Sequence, residues 1–381
     1  MKSIFIFKPF FRRVEVLKKI DDCLKRGWTG IGGNTEIFEK EWIKYSGFKN
    51  CHFLNSASSG LHLAIKIFKD EFGWKKNDEI ITTGLTFVST NHAILYEDLN
   101  PVFCDIDSSL CLSLESIKKM ITKKTKAILY VALGGNMKNF IEISNFCKKK
   151  KIILILDGAH LAGSKIKKNK QHCGLKADCT VFSFQAVKNL PSADAGAICF
   201  KKNKFDKIAR KLSWLGISKT TFQRSNQNQY KWKYSVDELG YKYHGNSLIA
   251  AVCLVSLKYL DRDNLYRNYL SKVYLANLKE INKFVEIVNH DEDIVSSRHI
   301  FQIAVKNRDD LIQYLSKYNI YCGVHYTNNT NYKLYKNFKA DNKNTKYYSK
   351  RILSLPLHLH LDKKQIIFIC KKIINYYLNS K

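Results

Sequence analysis

Residues 153–163 read ILILDGAHLAG, and residues 181–196 read VFSFQAVKNLPSADAG. In each, a short apolar run stops at polar residues. The first run ends on Asp157, and the second passes through Ser183, Phe184 and Gln185 to reach Lys188. Apolar runs of about four to eight residues bounded by turn signals are strands buried on both faces, and such strands belong to parallel sheets covered by helices. Further strands are expected on either side, at residues 80–83, 101–105, 127–133, 151–157, 180–184 and 197–200, with helices at 89–97 and 138–150 between them. This alternation is the pattern of an α/β unit with a mostly parallel sheet flanked by helices. In such sheets ligands bind in the crevice outside the carboxyl ends of the strands, which is where Asp157 falls.

A helix rich in small and apolar residues is expected from about residue 246 to 260, and the large domain is placed at residues 1–260. Residues 261–381 then form a smaller α+β domain: a helix, a strand at 299–305, another helix, an Asn- and Lys-rich loop over 328–345, and a closing helix from about Lys363. No internal repeat and no Pro-rich linker interrupts the chain. Its 381 residues suit two substructures, and 45% hydrophobic content excludes a disordered chain.

Sixty-four Lys and Arg against 33 Asp and Glu give a net charge of +31. The lysines come in short runs, such as Lys148–Lys151, among Asn and Ile. This reads as a solvated, lysine-rich surface, and no nucleic-acid recognition module accompanies it. The eleven cysteines are scattered, odd in number and without a Cys-x-x-Cys pair, the pattern of free thiols in a reducing compartment. The apolar start is interrupted by Lys8 and followed by Arg12 and Arg13, unlike a signal peptide, and no run reaches the length of a membrane span. A cytoplasmic protein is expected, and no metal site is read from the sequence.

A carboxylate and a lysine leaving adjacent strand ends suit pyridoxal 5'-phosphate (PLP). The lysine forms a Schiff base with the aldehyde, and the carboxylate keeps the pyridine nitrogen protonated so that the ring draws electrons. The segment 51–64, CHFLNSASSGLHLA, adds an apolar entry, a run of small hydroxyl residues and an apolar helix. Free N–H groups and the helix dipole at such a start make an anion site fit for a phosphate, although a Ser N-cap alone gives the same pattern.

With these motifs the chain resembles the DegT/StrS type of sugar aminotransferase, a branch of the fold-type I PLP enzymes, over nearly its whole length. The resemblance is carried by GWTGIGGNTEIFEKEWIKYSG (27–47), LNSASSGLHLAI (54–65), DEIITTGLTFVSTNHAILYEDLNPVFCDID (78–107), the two segments quoted first, LGYKYHGNSLIAAVCLVSLKYLD (239–261), His325-Tyr326 and SLPLH (354–358). It implies that Lys188 holds the cofactor and moves the proton, that Asp157 pairs with the pyridinium, and that His160 lies near the ring. It places Phe87 on the ring face and Ser58, Ser183 and the Ala57 backbone on the phosphate, with Gln185 and, from a partner subunit, Lys242 also on the cofactor. Thr29, Trp214, His325 and Tyr326 are the expected substrate contacts.

The implied reaction passes through pyridoxamine phosphate, moving an amino group from an amino acid, glutamate, to a nucleotide-linked keto-deoxysugar in a homodimer. Two other readings share the fold. One is a sugar dehydratase, against which Lys188 argues because that branch carries His there. The other is a non-catalytic regulator or binding protein, left open by Gln185 and by Ala193-Asp194-Ala195-Gly196, where many members have Gly-Glu-Gly-Gly. Ala tolerates positive φ poorly, so a differently shaped loop is expected there.

Overall fold

The computed structural model describes residues 3–218 and 234–378. Its centre is a seven-stranded sheet. The strands are β1 (His52–Leu54), β2 (Glu79–Thr83), β3 (Asn100–Cys104), β4 (Thr125–Val131), β5 (Ile153–Asp157), β7 (Cys179–Ser183) and β8 (Gly196–Phe200), in the order β1-β8-β7-β5-β4-β2-β3. A two-residue strand, β6 (Lys165–Ile166), lies outside this sheet. The β3-β2-β4-β5-β7 run is parallel throughout, and β8 pairs antiparallel to both β7 and β1. The expected strands are all present, with β4 starting earlier and ending at Val131. Leu133 belongs instead to a 3-10 turn, Leu133–Gly135.

The continuous apolar runs are explained by two cores, one on each face. Along β5, Leu154 and Leu156 enter one cluster while Ile155 enters the other, and along β8 Ala197 and Cys199 alternate with Ile198 and Phe200 in the same way. A strand whose side chains alternate between two dry faces has no polar positions left, which is why its sequence carries no period of two. The first core includes an aromatic cluster: Trp42 packs edge-on against Phe182 (centroids 4.9 Å) and Phe38 against Phe184 (5.3 Å). Phe38 and Trp42, four residues apart on the helix Gly33–Ser46, are completely buried.

The C-terminal part is a three-stranded antiparallel sheet, β9 (Val285–Ile287), β11 (Phe301–Val305) and β12 (Ile352–Leu355), in the order β12-β11-β9. Its core joins the helices Leu260–Leu278, Arg308–Ser316 and Lys363–Leu378. Ile4 lies in this same core and bridges to Ile320, so the chain's first described residues pack with its last third. A short strand, β10 (Ile294–Val295), pairs with β6 and ties the two sheets' surroundings together.

The stretch 328–345 differs from the loop expected. It holds two 3-10 turns and the start of a helix, Lys343–Ser349, and Asn328, Asn329, Tyr335 and Thr345 are buried. The Asp105 carboxylate accepts the N–H groups of Asn344 (2.7 Å) and Thr345 (2.8 Å), capping that helix from far away in sequence. All eleven cysteines are free thiols. Among the described residues no helix is long and apolar enough to cross a membrane, and no cluster of His, Cys, Asp or Glu is arranged to hold a metal ion.

Candidate active site

The strand ends β4, β5 and β7, the start of the helix Ala57–Phe72, and the segment His325-Tyr326 surround a cavity of about 430 Å³. Asp157 is the last residue of β5, and its buried carboxylate accepts hydrogen bonds from the Thr90 hydroxyl (2.7 Å) and the Ala159 N–H (3.1 Å). Burial pushes this carboxyl above its usual range, while the two donors and nearby Lys188 pull the other way.

Lys188 sits on a hairpin that prolongs β7 and β8. The Phe184 N–H donates to the Ala195 carbonyl (2.8 Å), the Ala186 N–H to the Ala193 carbonyl (2.9 Å), and the Lys188 N–H to the Gln185 carbonyl (2.8 Å). Neither Ala193 nor Ala195 adopts positive φ, so alanine is accommodated without strain. The different loop shape expected from these alanines therefore lacks its cause. Burial lowers the Lys188 amine to about 8, with Asp157 opposing.

At the far wall, Ser56 caps the helix Ala57–Phe72 by accepting the Ser59 N–H (3.1 Å). Ala57 and Ser58 form its first turn and line the cavity. Gly196, which opens β8, lies so near that a Cβ there would fall 2.6 Å from the Ala57 nitrogen and 2.7 Å from the Phe182 carbonyl oxygen. Only a glycine lets the sheet and this helix start approach so closely. Ser58 shares a hydrogen bond with Ser89 (2.6 Å), and Ser183 closes β7.

His160 is buried, and its ring lies 4.2 Å from that of His299. Burial, with Lys188 and His325 nearby, holds its imidazole well below the usual range. His325 is lowered to about 4 by burial and Lys188, and its Nδ1 meets the Ser354 hydroxyl at 3.0 Å. Tyr326 packs on Phe87 with centroids 5.9 Å apart.

Of the residues singled out in the sequence, Ala57, Ser58, Phe87, Asp157, His160, Ser183, Gln185, Lys188, His325 and Tyr326 line this one cavity. Thr29, Trp214 and Lys242 do not. The Thr29 carbonyl accepts the Ser247 N–H (3.1 Å), and the Lys242 amine lies 3.5 Å from the centre of the Trp214 ring. Thr86, Ser89, Thr90 and Asp194 also line the cavity and were not singled out as site residues. No local pattern marks them in the sequence, and Thr86 precedes the helix that carries Ser89 and Thr90.

The donor set fits PLP: an amine of lowered basicity, a buried carboxylate held at the sheet edge, and a glycine-backed helix start with hydroxyl groups for a phosphate. A family model described as the DegT/DnrJ/EryC1/StrS aminotransferase family matches residues 12–374. The spore coat polysaccharide biosynthesis protein SpsC of Bacillus subtilis is 31% identical over 357 residues, covering 90% of each chain. A dTDP-4-dehydro-2,3,6-trideoxy-D-glucose 4-aminotransferase of Saccharopolyspora spinosa is 26% identical and covers 96% of each chain. The fold matches Helicobacter pylori PseC, an aminotransferase involved in the biosynthesis of pseudoaminic acid, with a TM-score of 0.90, 23% identity and coverage of 99% of this chain and 100% of that one. A match of this extent shows that the chain belongs to the DegT/DnrJ/EryC1/StrS aminotransferase family, as a PLP-dependent sugar aminotransferase.

Proposed function

We propose that the enzyme moves the amino group of glutamate to the carbonyl, at carbon 3 or 4, of a nucleotide-diphospho keto-deoxysugar. The observation that carries this reading is the meeting of Lys188 and Asp157 in one cavity with the Ala57–Ser58 helix start opposite. The activity named for the Saccharopolyspora relative, on a dTDP-linked 4-keto sugar, supports the substrate class. When bound, PLP supplies an electron sink and carries the amino group between the two substrates.

In this reading Lys188 Nζ is both the point of covalent attachment and the base that shuttles a proton at the substrate carbon. An amine lowered to about 8 is partly neutral near pH 7 and can do both. Asp157 keeps the cofactor's ring nitrogen protonated, and Thr90 and the Ala159 N–H hold that carboxylate in place. Ser58, Ser183 and the Ala57 N–H bind the phosphate. Phe87 and His160 would hold the ring, Gln185 braces the lysine loop by accepting the Val187 N–H (3.0 Å), and His325 and Tyr326 would contact the substrate. Thr29, Trp214 and Lys242 serve the cavity of a second subunit in a homodimer.

The test is a pair of half-reactions. Glutamate should discharge the visible absorbance of the PLP-loaded enzyme, and one member of a panel of nucleotide-linked 3-keto and 4-keto sugars should restore it. A PLP-loaded protein that reacts with no amino acid would sink the proposal.

A further inference from the structure

Two buried histidines, His160 and His299, lie ring against ring beside the cavity, tilted by 33°, and their hydrogen bonds determine which ring nitrogen of each carries the proton. The Gly134 N–H donates to His160 Nδ1 at 3.1 Å. A nitrogen that accepts cannot carry a proton, and the neutral ring must then hold its hydrogen on Nε2. The same glycine binds the second histidine's main chain, because its carbonyl accepts the His299 backbone N–H at 3.2 Å.

The His299 ring is fixed by Asn189, the residue after Lys188. The Asn189 amide nitrogen lies 2.7 Å from the Ser297 carbonyl oxygen and 2.7 Å from Asn264 Oδ1. A carbonyl only accepts, so this side of Asn189 must be its NH₂, and its oxygen faces His299 Nδ1 at 2.9 Å. Asn264 is oriented in turn, since its amide donates to the Ala162 carbonyl (2.9 Å). His299 therefore carries its proton on Nδ1.

We propose that the Gly134 peptide and Asn189 are positioning groups that set the tautomers of the histidine pair, so that His160 turns an N–H donor, not a lone pair, toward the cavity. The titratable groups around His160 are Lys188 after β7, His325 and Tyr326 from the C-terminal part, and His299 before β11. Burial and the nearby Lys188 hold both rings well below the usual imidazole range. The protein does not use up the donor: Tyr326 Oη is 3.5 Å from His160 Nε2, at the outer limit of a hydrogen bond. His160 thus serves an acceptor oxygen of the bound ligand and takes no proton from it. The tautomer stands on the chain's own hydrogen bonds, and only its use as a donor rests on the function proposed above.

Gly134 and Gly135 make this geometry possible. Their φ values are +68° and +85°, and a Cβ on Gly135 would fall 2.5 Å from Ser297 Oγ. A side chain at either position forces the turn, and the N–H it presents, to move.

The experiment is nitrogen NMR on the full chain labelled with ¹⁵N-histidine, with and without PLP, the signals assigned by their loss in His160→Gln and His299→Gln. His160 should show a protonated Nε2 and a bare Nδ1 from pH 6 to 8, and His299 the reverse. In Asn189→Ala, His299 should lose its single tautomer while His160, still held by Gly134, keeps its own. A His160 that is charged, or protonated on Nδ1, near pH 7 in the wild-type chain overturns the proposal.

A second arm tests the donor. Gln offers an N–H and no base, so the activity of His160→Leu should fall about 10- to 100-fold below that of His160→Gln. Equal losses overturn the donor role. If the acceptor oxygen belongs to PLP, His160→Leu also shifts the pH midpoint of the visible absorbance with no sugar present. If it belongs to the sugar, only the KM for sugar moves. A correct tautomer with no glutamate half-reaction would leave this inference standing and remove the proposed function.

Discussion

Lys188 exposes its role through pH. In the cofactor-free protein its amine is lowered from 10.5 to about 8, so between those values the unfolded chain binds the extra proton and the folded chain does not. Stability therefore rises with pH across that window, and below pH 8 the buried ammonium costs the fold about 1–3 kcal/mol, the lower end allowing for its residual hydration. Cofactor-free Lys188→Met should be more stable than wild type at pH 7, with the gap closing by about pH 10.5. Urea denaturation at the two pH values checks this. A wild type that is the more stable protein at pH 7 would contradict the burial argument. In parallel, the rate at which the cofactor-free protein captures PLP should rise with a midpoint near pH 8, and Lys188→Ala should give no borohydride-trappable adduct. Asp157→Asn removes the charge proposed to keep the ring nitrogen protonated, and its half-reaction with glutamate should slow by about 10² or more, measured by stopped-flow absorbance. Both residues were legible because Asp157 ends one apolar strand and Lys188 follows a few residues after the end of the next. Thr90 was not, since a Thr inside an apolar helix pattern gives no sign that its hydroxyl reaches a carboxylate 67 positions away.

The helix start at Ala57 and the strand opening at Gly196 form a single packed joint. A methyl group on Gly196 would meet three backbone atoms, at 2.6 Å from the Ala57 nitrogen, 2.6 Å from the Ser56 carbonyl carbon and 2.7 Å from the Phe182 oxygen, none of which can swing aside. Gly196→Ala should lower stability by about 2–4 kcal/mol in urea titrations and weaken PLP binding together with it. A protein of unchanged stability would show that this approach is looser than drawn. Ser56 and the hydroxyl run after it announced the helix start, but nothing local announced its neighbour across the sheet. The region 328–345 failed for a related reason. Its Asn and Lys content reads as solvated loop, yet Asn328 and Asn329 are buried, with the Asn329 N–H paired to the Gly84 carbonyl (2.8 Å), and the following helix takes its cap from Asp105. Composition reports the polarity of a segment, whereas burial depends on partners supplied from other parts of the chain.

For the whole molecule, the sequence conveyed the order of elements but not which surfaces meet a second copy. Thr29, Trp214 and Lys242 lie outside the cavity of their own subunit, and in the proposed homodimer Lys242 reaches the neighbour's cofactor site. This can be separated from a role within one subunit by mixing two inactive proteins. Suppose Lys188→Ala and Lys242→Glu are each denatured, combined in equal amounts and refolded. If Lys242 acts across the interface, the mixed dimer pairs the intact Lys188 of one subunit with the intact Lys242 of the other, giving one complete site per mixed dimer. With random pairing, half of the dimers are mixed, so about a quarter of the wild-type activity should return. If Lys242 acts within its own subunit, each chain carries one lesion in its own site and no activity returns. Sedimentation of the refolded mixture must show dimers for the comparison to hold, and a monomeric wild type would remove the homodimer proposal. Because the two lesions lie on opposite sides of the predicted interface, the recovered activity measures which subunit owns each half of the site.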